Sequence, residues 1–307
     1  MREIHIGEII KQRRLELGLT QEELCEGICE PPTMSRIEKG RQTPTHSKLK
    51  ALLSRLGLPS EKYYALLSEN ELKIERLKDE IINYNARRLF REALEKIDEL
   101  SQLIEKDDHI SQQFILRSKV LSGKIENGNH TQFSEEEKQN LLYQAIRITI
   151  PDFDIDEIGS HWYSLNEIKI INQIAIAYSD NNQRKVALDI FYQLMKHIKK
   201  KFIIHSDNVS NIILISYNYA LALCREKRYS DAIEIAEWGW SKSVEWARAS
   251  NLGGLFYVLG ESHYHIGDLT KSKFFFLQAY YAYQMMKSTN LADMMSDYIR
   301  DHFGEEI

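Results

Sequence analysis

Cysteine is scarce in this 307-residue chain: Cys25, Cys29 and Cys224 are too few, and odd in number, for the cross-linked scaffold of a small secreted domain. Reduced thiols are expected, with Cys25 and Cys29 packed as small apolar residues rather than holding a metal or sensing redox state. No apolar run approaches the roughly 20 residues that cross a bilayer, so no membrane partner is expected. The opening stretch MREIHIGEIIKQRR mixes both charges and lacks an apolar core, which argues against a signal peptide and for a cytoplasmic protein. A glycine-rich phosphate loop, a GxSxG elbow and an HExxH pair are all missing. His161, His197, His205, His263 and His265 have no carboxylate at metal-ligand spacing in the sequence. The expectation is therefore no enzyme, no cofactor and no metal.

What is present is the composition of a soluble, multi-domain globular chain, 43% hydrophobic and 28% charged. The net charge of −5 argues against general attraction to nucleic acid, but it is unevenly spread. Residues 1–68 hold 11 Lys and Arg against 9 Asp and Glu, and the remainder holds 29 against 36. Affinity for DNA must then come from a local patch, Arg13, Arg36, Lys39, Arg41 and Lys48, and should depend strongly on salt.

That patch surrounds LGLTQEELCEGICEPPTMSRIEKG, from Leu17 to Gly40. Thr20 with Glu23 three residues on is a capping-box pattern opening a helix with Leu24 and Ile28 on one face. Pro31 and Pro32 suit a turn and a first helical position, so a second helix is expected over about Pro32–Lys39, with Gly40 as its left-handed terminator. Two short helices joined by a turn form the unit that lays its second member in the major groove. Thr33, Met34, Ser35 and Arg36 occupy the first turns of that member, and Arg36 is the best candidate for a two-bond contact to guanine.

The run LGLTQEEL…SRIEKG followed by PTHSKLKALLSRLGL resembles the Cro/C1-type (XRE) helix-turn-helix. GICEPPTMSRIEKG is particularly similar to the quorum-sensing regulators of the Rgg/NprR/PlcR/PrgX group. The resemblance implies a buried pair between Arg14 and Glu38, and a phosphate contact from Gln21. Pro31 and Pro32 stand where relatives often carry Gln or Ser.

The first helix has its apolar face in Ile6, Ile9, Ile10 and Leu15 to Leu17, and ends at Gly18. Pro44 opens a helix running to Gly57, and Ser60–Leu67 is expected as a fifth. The expected core is Ile9, Leu15, Leu24, Ile28, Met34, Ile37, Leu49, Leu52 and Leu56. Residues 1–68 are thus a five-helix DNA-binding domain, and the charged stretch 69–80 reads as a solvated linker helix.

Beyond it nearly every segment is helical, and small residues mark a loose repeat: Ala93, Ala145, Ala187, Ala232 and Ser272, spaced 52, 42, 45 and 40 apart. Tyr229 and Leu269 stand three before their marks; Phe191 and Phe276 stand four after theirs. The pattern resembles tetratricopeptide repeats, giving an all-α chain with a helical solenoid over 81–290 and a capping helix over 291–307 that carries Met294, Met295, Tyr298 and Ile299.

In that register the inward face of the first helices holds Lys119, then Lys169, Asn172 and Gln173, then Tyr217, Asn218 and Leu221, then Tyr257, Glu261 and Tyr264. An Asn amide both donates and accepts, so a ladder of them can hold an extended peptide backbone, and tyrosines add broad contact with a polar tip. The family resemblance places Asn172 and Asn218 on peptide-backbone asparagines. The expected protein is a DNA-binding transcriptional regulator controlled by a short signalling peptide, with double-stranded operator DNA as second partner. A homodimer is expected, because one recognition helix reads few base pairs. The competing expectation is a repeat scaffold that docks a folded protein, binds DNA constitutively and takes no peptide.

Overall fold

The structure, a computed structural model, describes residues 5–58 and 69–304. The helix expected over Ser60–Leu67 lies outside the described residues. The chain divides into two compact units, residues 1–183 with 196–203, and residues 184–195 with 204–307.

The first unit begins with helices α1 (Ile6–Glu16), α2 (Gln21–Cys25), α3 (Pro31–Glu38) and α4 (His46–Arg55). Thr20 accepts from the Glu23 amide while the Glu23 carboxylate takes the Thr20 N–H, so the capping box that opens α2 is formed at both ends. Pro31 and Pro32 fill the first positions of α3, where no amide hydrogen is needed. Gly40 follows α3 at φ 68°, the left-handed geometry expected of its terminator. Leu24, Ile28, Met34, Ile37, Leu49, Leu52 and Leu56 are buried in one core, as expected. Leu15 departs from expectation at 58% exposed, and Ile9 is only half-buried. Ile10 and Leu19 take their place in the core, Leu19 directly after the left-handed turn at Gly18.

Helix α5 (Glu69–Ala86) is longer than the charged stretch that announced it. It is not a solvated linker: Leu77 and Ile81 are buried with Ile97, Leu100, Phe114 and Ile115 in a second core. Lys78 is buried beside them and pairs with Glu75 at 2.9 Å, and the apolar stripe emerges only when Ile81 is included in the helix. The first unit continues with α6 (Phe90–Leu103), α7 (His109–Ser122), α8 (Glu135–Arg147) and α9 (Leu165–Asp180). A hairpin of β1 (Lys124–Glu126) and β2 (Asn129–Thr131) lies between α7 and α8 and accounts for the longest interval in the repeat. Its Asn127-Gly128 corner has positive φ at both residues, the geometry a two-residue hairpin loop demands.

Helix α10 (Arg184–Lys201) has residues in both units. The second unit holds α11 (Val209–Arg225), α12 (Tyr229–Glu245), α13 (Leu252–His265), α14 (Leu269–Met285) and α15 (Thr289–Phe303). All five small register marks, Ala93, Ala145, Ala187, Ala232 and Ser272, are fully buried, and they sit on α6, α8, α10, α12 and α14. Each is the second helix of a pair, and a small side chain there lets the first helix approach closely. Phe191 and Phe276 are buried one turn further on. Met295 and Ile299 bury one face of α15 in the second unit, while Met294 remains 45% exposed.

Candidate functional site

Helix α3, the candidate DNA-reading helix, is held from beneath. Arg14 donates from Nε to Glu38 Oε1 at 2.6 Å and from Nη2 to Glu38 Oε2 at 3.0 Å, and its Nη1 reaches the Leu19 carbonyl at 2.6 Å. Both partners are buried, and the bond to Glu38 is the main reason the guanidinium holds its proton above its ordinary range. This is the structural pair that the family resemblance implies. Gln21 donates one of its two amide hydrogens to Glu38 Oε2 at 2.7 Å.

Of the four candidate base-reading residues, Arg36 is exposed and bonded only locally, through Nε to the Pro32 carbonyl at 3.2 Å. Thr33 and Ser35 are half-buried. Met34 is a correction: it is 0% exposed and packs in the domain core, since residues three and four apart on α3 share its inner face with Ile37. Lys39 and Arg41 are exposed just past the helix end and form no ion pair among the described residues. Lys48 instead pairs with Asp107 at 3.2 Å, and Arg13 with Glu16 at 2.8 Å. The free basic patch is therefore Arg36, Lys39 and Arg41.

The same unit fixes this small domain against the helices that follow. Arg55, on α4, donates from Nη1 to the Leu24 and Glu26 carbonyls that end α2, at 3.0 and 2.8 Å, and from Nη2 to Glu167 at 2.9 Å. Glu167 is also the third residue of α9, where it completes the capping box of Ser164. Ser54 accepts from the Leu165 amide at 2.9 Å. Gly27, at φ 63°, lies so close to the end of α8 that a Cβ there would fall 1.9 Å from the Thr149 carbonyl oxygen. Only glycine allows that approach.

Among the expected peptide residues of the first unit, Asn172 is buried and Lys119, Lys169 and Gln173 are half-buried. Burial pushes the Lys169 ammonium down to about 7, and the charges of Arg117 and Lys50 add in the same direction. Arg117 on α7 is itself lowered to about 10 by burial and has only the Phe114 ring beneath it, 5.6 Å away. Neither cation has a hydrogen bond or ion pair among the described residues, and the Gln173 Oε1 is buried without a partner. Lys169 and Arg117 are thus two desolvated cations with no counter-charge among the described residues. Arg117 was missed in the sequence because its approach to Lys169 depends on how α7 packs beside α9.

In the second unit Tyr217, Asn218 and Leu221 on α11, and Tyr257, Glu261 and Tyr264 on α13, are all half-buried at helical spacing. Gly253 and Gly254 let two tyrosine rings lie directly on the α13 backbone, because a Cβ at either would fall 2.6 Å from the Tyr283 ring or 2.7 Å from the Tyr217 ring. Burial pushes the Tyr257 and Tyr283 hydroxyls up to about 12, so they remain neutral donors. Glu261 accepts from the Tyr298 hydroxyl and faces His265 Nε2 at 3.1 Å. Tyr283 and Tyr298 come from α14 and α15 and were not foreseen, since only first-helix positions carried the repeat register.

Residues 10–63 match the helix-turn-helix family model and residues 78–294 match the model of the RNPP family C-terminal domain. The chain belongs to the RNPP family. No curated protein matches it in sequence. In three dimensions this RNPP chain is similar to Bacillus thuringiensis PlcR, solved with the peptide PapR7 and DNA, at 21% identity over 94% of this chain and 98% of PlcR, with a TM-score of 0.60. It is also similar to ComR from S. thermophilus, solved with DNA and its signalling peptide ComS, at 16% identity over 94% and 97% of the two chains and a TM-score of 0.51. A putative transcriptional regulator from Listeria monocytogenes matches at 16% identity over 96% of each chain with a TM-score of 0.51. These likenesses establish a shared fold: a helix-turn-helix domain followed by a helical-repeat domain.

Proposed function

We propose that this RNPP protein is a DNA-binding transcriptional regulator controlled by a short linear peptide held on the first helices of its repeat domain. The observation that carries the reading is the exposed Arg36, Lys39 and Arg41 on and just after a recognition helix buttressed by Arg14 and Glu38. A base-reading helix must be rigid before it meets DNA, and a buried bidentate pair supplies that rigidity. The peptide half rests on Asn172 and Gln173 beside two uncompensated cations, and on the tyrosine-rich face of α11 and α13. A carboxylate, at the peptide's end or on a side chain, suits Lys169 and Arg117; a backbone suits the amides. PlcR and ComR, which share the fold, have each been solved with a peptide and DNA together.

The protein is further proposed to work in the cytoplasm as a homodimer that presents two recognition helices to paired half-sites. No helix among the described residues is long and apolar enough to cross a membrane. The exposed Phe274, Tyr281 and Met285 of α14, Met286 just after it, and Leu291 and Met294 of α15 supply apolar surface for self-association. The test is to titrate a synthetic peptide, taken from a small secreted reading frame beside the gene, against the full-length protein while following melting temperature, light scattering and operator binding. A peptide at 100 times its dissociation constant adds about 2.7 kcal/mol of stability. Absence of stabilisation by any such peptide, with DNA binding intact, would favour a constitutive DNA-binding scaffold instead.

A further inference from the structure

We propose that Glu26, Asp152 and His161 form a site for one divalent metal ion of the zinc class, joining the helix-turn-helix domain to the repeat domain within the first unit. Glu26 directly follows α2, whereas Asp152 and His161 flank the short 3-10 helix Ile155–Ser160 that separates α8 from α9. Folding brings together residues more than a hundred positions apart. Taking one ligand atom from each, all lie within 4.8 Å of one another.

The three side chains are close enough to reach one ion, and their mutual contacts are long. His161 Nδ1 stands 3.4 Å from Glu26 Oε2, and its Nε2 stands 3.7 Å from Asp152 Oδ1. Both exceed the roughly 2.7–3.2 Å of a well-made N–H···O bond. Ligands about 2.1 Å from a tetrahedral zinc are separated from each other by about 3.4 Å, the Glu26–His161 spacing. One ion takes only one ring nitrogen, Nδ1 on the Glu26 side, so Asp152, now beside Nε2 with its side chain 75% exposed, is the arm that swings round to the same ion, while His161 at 14% is held. A neutral imidazole and two carboxylates offer a mixed nitrogen and oxygen set with a charge of −2, which a divalent cation offsets.

Two features of the surroundings support occupancy by a cation. Glu26 is placed by rigid backbone, because its neighbour Gly27 abuts Thr149, three residues before Asp152, and because Arg55 holds the Glu26 carbonyl at 2.8 Å. His161 also lines a cavity of about 460 Å³ with Glu22, Glu23, Glu26 and Glu30, so a fourth position can be filled by water or by a further carboxylate in a field that attracts cations. Cys25 and Cys29 line the same cavity and make a rival soft-ligand site that the test must separate.

The experiment is calorimetric titration of zinc chloride into full-length, chelator-treated protein, with cobalt chloride absorbance as a report on ligand type. One equivalent should bind, with cobalt giving the intense visible bands of a tetrahedral site but no thiolate charge-transfer band in the near ultraviolet. His161→Gln and Glu26→Gln should each weaken binding tenfold or more, since even losing a group that only hydrogen-bonds to a ligand costs about 10–100-fold. Cys25→Ser/Cys29→Ser should bind as the natural protein does. Circular dichroism melts without metal check that each variant is folded. The proposal is overturned if the natural protein takes up no zinc at micromolar concentration. It is equally overturned if His161→Gln, folded, binds zinc with unchanged affinity, or if the double serine variant loses the ion.

Discussion

Arg55 and Glu167 lie 112 positions apart in sequence and 2.9 Å apart in the fold, with side chains 0% and 1% exposed. One guanidinium thereby caps the α2 carbonyls of the DNA-reading domain and reaches the first turn of α9 in the repeat domain. Removing one member of a buried pair strands the other charge, at a cost of about 3–5 kcal/mol. Arg55→Met should therefore lower the urea unfolding free energy by that amount, and Arg55→Met/Glu167→Gln should recover part of it. Equal stability of the natural protein and Arg55→Met would mean that the pair contributes nothing to the fold.

Arg36→Ala should abolish sequence preference while leaving the melting temperature unchanged, because Arg36 is exposed and touches only its own helix. A bidentate base contact is worth about 1–3 kcal/mol of discrimination. Lys39→Ala and Arg41→Ala should weaken all sequences alike and lower the salt slope. Competition of specific against random duplex at several salt concentrations separates the two behaviours.

Lys169 titrates near 7 in the folded chain, against 10.5 for the ordinary side chain. Between these values the unfolded chain binds more protons, so this group makes stability rise with pH from about 7 to 10.5 and imposes its full penalty below 7. Lys169→Met should stabilise the protein most at or below neutral pH and flatten that rise. A bound carboxylate should return the ammonium to its charged form, so peptide binding near pH 8 should take up protons, as calorimetry in buffers of different ionisation enthalpy would record.

His197 lies 5.0 Å from the Tyr163 ring, and burial pushes its imidazole down to about 4. Its neutral form belongs to the fold, so stability present above the ordinary value near 6.5 should be lost progressively as pH falls toward 4. His197→Phe should narrow the gap in melting temperature between pH 7 and pH 5. An unchanged gap would show that His197 does not contribute to acid sensitivity.

Asn218→Ala should weaken peptide binding by about 0.5–1.5 kcal/mol for each neutral hydrogen bond lost and leave operator binding without peptide nearly unchanged. Fluorescence anisotropy with labelled peptide measures the first and a mobility shift the second. Equal peptide affinity in the two proteins would remove Asn218 from the site.

Local chemistry was sufficient, in the sequence alone, for much of this molecule. The capping box at Thr20, the prolines of α3, the terminator Gly40 and the five small residues from Ala93 to Ser272 act within one turn or one helical pair. Their positions therefore declare the helix-turn-helix and the repeat register without reference to the rest of the chain. Asn127-Gly128 declared the hairpin just as locally, though the helical rhythm on either side obscured it. Tertiary packing decided what periodicity leaves open: that Leu15 faces solvent and Leu19 the core, that Met34 looks inward, and that α5 buries Leu77 and Ile81. It also decided which distant charges meet. Arg55 with Glu167, Arg117 near Lys169, and Glu26 with Asp152 and His161 are set by how whole helices pack, and helical periodicity carries no record of a partner on another helix.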